Sequence, residues 1–345
     1  MGAIDAALSE VEDVASEGEL GVGTLADLDV AGLADPIELP DGRIIYPPVF
    51  DGKQIHEIAE ALLDFENPSE SRFLRLTGPP GTGKSQLGRL IGYHLWKVRG
   101  REVEERNGQP FYGYEEMSPG PSSDEFTFRY EYVPQDDGGV KLVESAFVRA
   151  MREGTTVMID EVNTARESAL LSINSTLDGR LTLYLPTSGE TVKAAPGFNV
   201  LLAYNPGLVN ATDLPTAWFS RFPAPLEIIS NWAALIPMGV DKKLVNAAAK
   251  LDMERRTDGL SWSPQFREIE SLHRMLQNPN LTTRLAIGLF MSNVDEQLAS
   301  GIIGVPEAEA VVRMFDSAGF DEFKIPSGSR ERVPTVGGYM KAASS

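Results

Sequence analysis

The sequence contains no cysteine among its 345 residues. Disulfide bonds, thiolate zinc sites, cysteine-ligated iron–sulfur clusters and cysteine nucleophiles are therefore excluded. Only three histidines are present, at positions 56, 94 and 273, and no two of them have the H-x-x-x-H spacing of a helical zinc site. We therefore expect no histidine-based metal centre.

Basic residues are missing from the first 42 positions, which hold eleven acidic ones. The formal net charge of the chain is −19, so this segment supplies more than half of it. Binding along a nucleic-acid backbone needs a basic surface, and a nucleic-acid partner is therefore not expected. We interpret residues 1–35 as an acidic N-terminal arm. It is either mobile or a helix that docks on a partner.

Long hydrophobic runs are missing as well. No stretch approaches the ~18–20 uninterrupted apolar residues that cross a bilayer. The beginning of the sequence lacks the basic start and long apolar segment of a secretory signal. We expect a cytoplasmic protein with no membrane partner.

Short apolar runs alternate with helical patterns over residues 36–230. This alternation predicts an α/β domain in which a parallel sheet lies between helices. Strand signals become sparse after this point, and three helical patterns follow. We therefore expect a small helical domain over 231–320 and a C-terminal tail over 321–345.

Two segments of the α/β part do not follow the alternation of strands and helices. Residues 180–198 alternate apolar and polar side chains around a Thr-Ser-Gly turn, which predicts a β-hairpin. Residues 105–139 are rich in aromatic residues, proline and glycine, and predict an irregular insertion. The aromatic residues of this region either pack the insertion onto the core or hold a substrate in a central pore. They are Phe111, Tyr112, Tyr114, Tyr130 and Tyr132.

The strongest chemical signal is Gly-Pro-Pro-Gly-Thr-Gly-Lys-Ser at 78–85, which matches G-x-x-x-x-G-K-[ST] completely. Glycines allow backbone N–H groups to surround a phosphate, and the N-terminus of the following helix adds a positive partial charge. Lys84 would reach the β- and γ-phosphates of ATP, and the Ser85 hydroxyl would bind Mg²⁺. The predicted nucleotide-binding residues of this loop are Gly78, Pro79, Pro80, Gly81, Thr82, Gly83, Lys84, Ser85 and Gln86.

A second signal is the pair Asp160-Glu161, which ends a short apolar run. Asp160 would hold Mg²⁺ through its water shell, and Glu161 would polarise the attacking water. A strand that simply leaves the core through two acidic residues would have the same pattern, but the phosphate loop upstream favours the functional interpretation.

With these motifs the chain resembles the AAA+ ATPases, and within them the MoxR-like group, over roughly residues 45–290. The resemblance rests on GPPGTGKS, VMIDEVN at 157–163, LAYNP at 202–206 and LPTAWFSRF at 214–222. These are similar to the Walker A, Walker B, sensor I and arginine-finger segments. The CbbQ/NorQ activators and the gas-vesicle protein GvpN share this pattern. The resemblance would make 105–139 the helix-2 insert and 180–198 the pre-sensor I hairpin.

The resemblance implies further residue roles. Asn205 would position the attacking water, and Arg221 would act as an arginine finger on the nucleotide of the adjacent subunit. Arg267 would be the sensor II residue, with Arg284 as the alternative.

The resemblance also implies a fold and a function. It implies an α/β P-loop NTPase core of the AAA+ type followed by a small helical lid. It further implies a homo-oligomeric ring, a hexamer, that hydrolyses ATP with Mg²⁺ to remodel a protein target, with a von Willebrand A-domain protein as a partner in such systems. Two alternatives remain open. One is a nucleic-acid-associated, McrB-like NTPase, and the other is a structural ATP-binding subunit with slow turnover.

Overall fold

The computed structural model describes residues 22–24, 36–46, 49–51, 72–135, 138–205, 214–219, 221–222 and 225–320. These residues belong to two compact units, and the chain passes from the first to the second between Ile229 and Ser230.

A seven-stranded sheet forms the centre of the first unit. Its spatial order is β1 (Val22–Thr24), β4 (Val49–Asp51), β15 (Leu226–Ile229), β5 (Arg72–Thr77), β14 (Asn199–Tyr204), β11 (Thr156–Ile159) and β8 (Tyr114–Met117). The last five strands pair in parallel, and the first two are antiparallel additions at one edge. The predicted parallel sheet is therefore confirmed.

Helices cover both faces of this sheet, because its central strands are apolar on both faces. Leu201 and Ala203 of β14 pack against helix α1 (Lys84–Val98) on one face. Val200 and Leu202 point to the other face, where they join helices α2 (Ala146–Glu153) and α3 (Glu167–Leu171). A short helix α4 (Thr216–Phe219) precedes β15.

Helix α1 packs unusually closely on the sheet, because glycines replace side chains at the contact. A Cβ atom at Gly92 would lie 2.8 Å from Cβ of Tyr114. A Cβ atom at Gly88 would lie 2.6 Å from the sulfur of Met158. This close packing fixes the distance between helix α1 and the sheet.

The prediction of an irregular insertion over 105–139 is wrong at its centre, because β8 is the outermost parallel strand of the main sheet. Its sequence, Tyr-Glu-Glu-Met, lacks the apolar pattern of a buried strand. The two glutamates are accommodated there because each pairs with an arginine. Glu115 accepts bonds from Arg149, one of them 2.9 Å long, and Glu116 pairs with Arg89. Two hairpins flank β8, namely β6 (Glu104–Arg106) with β7 (Gln109–Phe111), and β9 (Tyr130–Pro134) with β10 (Val140–Glu144).

Most of the aromatic residues of this region pack into the core. Phe111, Tyr112 and Tyr114 are buried against α1, and the Phe111 ring lies 5.3 Å from that of Trp96 in an edge-on contact. Tyr132 on β9 is different, with 77% of its surface exposed. The packing interpretation therefore holds for the first three residues.

A β-hairpin lies within 180–198, formed by β12 (Thr182–Leu185) and β13 (Glu190–Lys193). The remaining small hairpin pairs β2 (Ile37–Glu38) with β3 (Ile44–Ile45). Strand β1 lies within the predicted acidic arm and pairs with β4. The arm predicted over 1–35 is therefore wrong where it includes this strand. The rest of that segment up to residue 35, and the predicted tail 321–345, lie outside the described residues.

The second unit is helical. It contains α5 (Lys242–Asp258), α6 (Phe266–Gln277), α7 (Thr283–Ala299) and α8 (Val305–Ser317) around one apolar core. The predicted helical C-terminal region is thus confirmed. Within the described ranges, every helix is too short or too polar to span a lipid bilayer.

Candidate functional site

The glycine-rich loop lies between the end of strand β5 and the start of helix α1. Gly78, Gly81 and Gly83 have φ angles of 139°, 84° and 97°, a region that favours glycine. At Gly78 a side chain is also excluded by space, because a Cβ atom would lie 2.3 Å from the carbonyl oxygen of Ile228. Helix α1 has no side-chain N-cap among the described residues, so its first amides face the loop uncapped.

Lys84, the first residue of helix α1, is buried, with 6% of its surface exposed. Its Nζ donates to the carbonyl oxygens of Gly78 and Pro79, both at 2.8 Å. The ammonium group therefore crosses the loop, where it can meet a phosphate. The Thr82 hydroxyl donates to Pro79 O at 3.0 Å and closes the loop, while the neighbouring Gln86 is exposed.

Ser85 and Asp160 meet in space although they are far apart in sequence. The Ser85 hydroxyl donates to Oδ2 of Asp160 at 2.7 Å. The contact forms because β5 and β11 are parallel strands on either side of β14, so their carboxyl ends reach the same edge of the sheet. Two oxygen ligands at one point suit a hard divalent cation, so the residues fit a Mg²⁺ ion.

Glu161 follows Asp160 in a left-handed backbone conformation, with φ 50° and ψ 38°. Its N–H donates to Oδ1 of Asp160 at 2.9 Å. Its carbonyl oxygen accepts bonds from the amide and the hydroxyl of Thr164, each 2.9 Å long. A non-glycine residue with this φ is uncommon and is held by its surroundings. The Glu161 side chain is exposed.

Asn205 lies at the end of β14, the strand between β5 and β11. It is 7% exposed, and its Oδ1 has no hydrogen-bond partner among the described residues. Its main-chain oxygen accepts a bond of 3.2 Å from Nδ2 of Asn163. Sequence reasoning assigned no role to Asn163, although the residue closes the VMIDEVN motif.

Arg221 lies in the turn that follows helix α4 in the same unit. Its guanidinium donates to the carbonyl oxygen of Ala217, at the beginning of helix α4. A bond of 2.7 Å from Trp218 Nε1 to Asn174 anchors this segment. The hydrogen bond from Arg180, and the charge of Arg221, lower the pKa of Asp178. The structure thus brings Ser85, Asp160 and Glu161 together beside Lys84, places Asn205 at the end of the neighbouring strand β14, and places Arg221 near Asp178.

The two sensor II candidates belong to the second unit. Arg267 lies in the first turn of α6, and Arg284 in the first turn of α7. The capping box formed by Gln265 and Glu268 fixes the start of α6, and burial raises the pKa of Glu268. The choice between the two arginines stays a prediction.

Comparison with known proteins supports the geometry. The family model described as AAA domain (dynein-related subfamily) matches residues 74–222, which include most of β5, the loop, β11, Asn205 and Arg221. The parallel sheet and the glycine-rich loop, together with this match, show an α/β P-loop NTPase fold.

Two relatives come from staphylococci and are themselves uncharacterized. The chain is 29% identical to one from Staphylococcus epidermidis over 49% of this chain and 58% of that protein. It is 41% identical to one from Staphylococcus haemolyticus over 24% of this chain and 32% of that protein. The chain thus spans less than two thirds of the length of each relative.

One solved structure, from Cytophaga hutchinsonii, is described as that of a candidate ATPase. The match covers 70% of this chain and 76% of the chain of that structure, with 12% sequence identity and a TM-score of 0.39.

Proposed function

We propose that this chain binds ATP with Mg²⁺ and hydrolyses it, because residues 74–222 match the family model of an AAA domain, a type of domain that binds nucleotide. The observation that supports this most is the contact of 2.7 Å between the Ser85 hydroxyl and the Asp160 carboxylate. It joins the two expected magnesium ligands beside Lys84, which lies within the phosphate loop.

The chain's own residues supply most of what phosphoryl transfer requires. The loop amides and Lys84 bind the β- and γ-phosphates and stabilise the negative charge that develops there in the transition state. Glu161 accepts a proton from the attacking water, and Asn205 orients that water. A Mg²⁺ ion held by Ser85 and Asp160 would further neutralise the phosphate charge when bound.

A direct test of this assignment replaces Glu161 with glutamine, which keeps the size but not the basicity of the side chain. We expect the variant Glu161→Gln to retain the ATP affinity of the wild type and to lose phosphate release. An unchanged rate of phosphate release would remove Glu161 from the proposed chemistry.

We further propose that the sites are shared between copies of this chain in a ring, a hexamer as in the MoxR-like group. Arg221 would reach the nucleotide bound by the neighbouring copy. Within its own subunit Arg221 lies near Asp178, and the proposed role between copies rests on the resemblance to the MoxR-like group.

Mixing two inactive variants tests the shared site. Arg221→Ala should bind ATP normally but hydrolyse it about 10³-fold more slowly, the scale of arginine-finger effects. Lys84→Ala should bind no nucleotide but still carry the finger. Mixed rings would contain intact composite sites and regain activity. A wild-type rate that does not depend on protein concentration, together with no rescue on mixing, would refute the ring.

The proposed work of the ring is the remodelling of a protein target in the cytoplasm, with a von Willebrand A-domain protein as a partner. This part rests on the resemblance to the MoxR-like group. Proteins retained by Glu161→Gln in the presence of ATP, and released by the wild type, would identify the target. If the two proteins retained the same material, the remodelling proposal would fail.

A further inference from the structure

A hydrogen bond connects the two segments that carry the proposed catalytic side chains. Asn163 lies in a short 3-10 helix (Val162–Thr164) directly after Glu161. Its Nδ2 donates to the main-chain oxygen of Asn205 at 3.2 Å. Asn163 is 5% exposed, so the bond is sheltered from water.

This bond lies beyond the point where the hydrogen-bond ladder between β11 and β14 has ended. On the β5 side, Asn205 is held by the strand ladder, which continues to the pair Tyr204–Thr77. On the β11 side, the ladder ends earlier, at the pair Leu202–Ile159. Beyond that pair the Asn163 side chain bridges the segment after β11 and the end of β14.

The orientation of the Asn163 amide is set by this contact. A carbonyl oxygen can only accept, so the NH₂ group of Asn163 must face Asn205. Oδ1 of Asn163 therefore points elsewhere, and it is buried with no hydrogen-bond partner among the described residues. Oδ1 of Asn205 is likewise buried and has no hydrogen-bond partner among the described residues. Buried amide oxygens in native proteins nearly always have a donor, and the attacking water of the proposed hydrolysis is a donor from which Oδ1 of Asn205 can accept a bond.

We propose that Asn163 is a positioning residue, which sets the distance between Glu161 and Asn205 so that both act on the same water. The inference rests on the proposed hydrolysis and deepens it. The rest of the turn supports the assignment. The bonds from Thr164 to the Glu161 carbonyl and from the Glu161 amide to Asp160 fix the turn on one side. Asn163 fixes it against the neighbouring strand.

The variant Asn163→Leu tests this role, because leucine has a similar size and cannot form the bond. A misplacement of about 1 Å between reacting groups can slow a reaction roughly 10²-fold. We therefore expect kcat for ATP hydrolysis to fall roughly 10²-fold, while the dissociation constant of ATP stays that of the wild type. Asn163→Ala gives a second measurement should the leucine variant fail to fold.

Thr176→Val is the matched control. Thr176 is fully buried, and its hydroxyl donates to the main-chain oxygen of Thr182 at 3.0 Å, within the segment that leads into the β12–β13 hairpin. The control loses a partly buried bond from a side chain to a main-chain oxygen and should keep kcat. A merely structural role for Asn163 would give the two variants the same kinetic profile.

A double-mutant cycle with Asn205→Ala separates positioning from general damage. If Asn163 acts by placing the Asn205 side chain, then adding Asn163→Leu to Asn205→Ala should cause little further loss of kcat. Losses that multiply, a wild-type kcat in folded Asn163→Leu, or a parallel loss of ATP affinity would each overturn the inference. Wild type and Lys84→Ala are measured in the same assay. If the wild type itself releases no phosphate, the proposed function fails and this inference falls with it.

Discussion

The close approach of helix α1 to the sheet can be tested at Gly92. In a helix interior, replacing glycine with alanine normally gains about 1 kcal/mol, because glycine loses more backbone freedom on folding. At Gly92 the new Cβ atom would lie 2.8 Å from Cβ of Tyr114 and 3.3 Å from the carbonyl oxygen of Gly113. Both atoms belong to or adjoin the backbone and cannot rotate away.

Overpacking of this kind costs about 1–3 kcal/mol. It offsets or exceeds the helix gain, so Gly92→Ala should leave stability unchanged or lower it by up to about 2 kcal/mol. The matched control is Gly288→Ala in helix α7, where a Cβ atom would meet nothing within 4 Å. This variant should gain the full amount of about 1 kcal/mol. The two variants should therefore differ by about 1–3 kcal/mol.

Thermal unfolding followed by circular dichroism measures this difference. In the first unit, which contains Gly92, 1 kcal/mol corresponds to about 2–4 °C in Tm, and in the smaller second unit, which contains Gly288, to about 4–8 °C. Helix α1 begins with Lys84 and Ser85, so a displaced helix should also weaken ATP binding in Gly92→Ala and leave it unchanged in Gly288→Ala. Equal stabilisation by both variants would refute the packing argument.

Two further predictions concern the hydrogen bonds of the Glu307 carboxylate and the ion pairs of Arg152. The Glu307 carboxylate accepts bonds from the amide and hydroxyl of Ser261 at 2.8 and 2.7 Å and from the amide of Gly304 at 3.0 Å. Burial acts to raise the pKa of Glu307, but these bonds outweigh it and hold that pKa below the ordinary value of 4.5. The stabilisation that the Glu307 carboxylate contributes is therefore complete at pH values above 4.5, and it is lost as the pH falls through the lowered pKa. Glu307→Gln should cost about 1–3 kcal/mol at pH 7 in urea unfolding, and the gap to wild type should close in acid, whereas a gap independent of pH would contradict the assignment. Arg152 binds Glu144 of β10 and Glu190 of β13, at 2.8 and 2.7 Å. Arg152→Gln should change global stability by less than about 1 kcal/mol, yet speed amide hydrogen exchange in both hairpins. Unchanged exchange there would show that the hairpins do not depend on Arg152.

The sequence predicts the centre of the fold because its strongest patterns are local. The runs that become β5, β11 and β14 are short and apolar, and each leads directly into the segment that carries its motif. Parallel strands bring those segments to one edge, so the meeting of Ser85 with Asp160 follows from topology alone.

The parts that sequence reasoning missed depend on contacts between distant residues. Strand β8 is half acidic because Arg149 and Arg89 neutralise its glutamates across the fold. Strand β1 is three residues long and exists through its pairing with β4. Asn163 closes the VMIDEVN motif, but its bond to Asn205 becomes visible only when two strands are placed side by side. The proposed place of Arg221 opposite a nucleotide would depend on a second copy of the chain, which the sequence does not describe.

The measurement that tests the central proposal most directly is phosphate release from ATP by the full chain, with Mg²⁺ and with the metal chelated. Lys84→Ala is measured beside the wild type, because this change removes the ammonium group that crosses the phosphate loop. The account predicts release by the wild type only with Mg²⁺, and neither release nor ATP binding by Lys84→Ala. Normal ATP affinity in Lys84→Ala, or a wild type that binds Mg-ATP and releases no phosphate at any protein concentration, would contradict it.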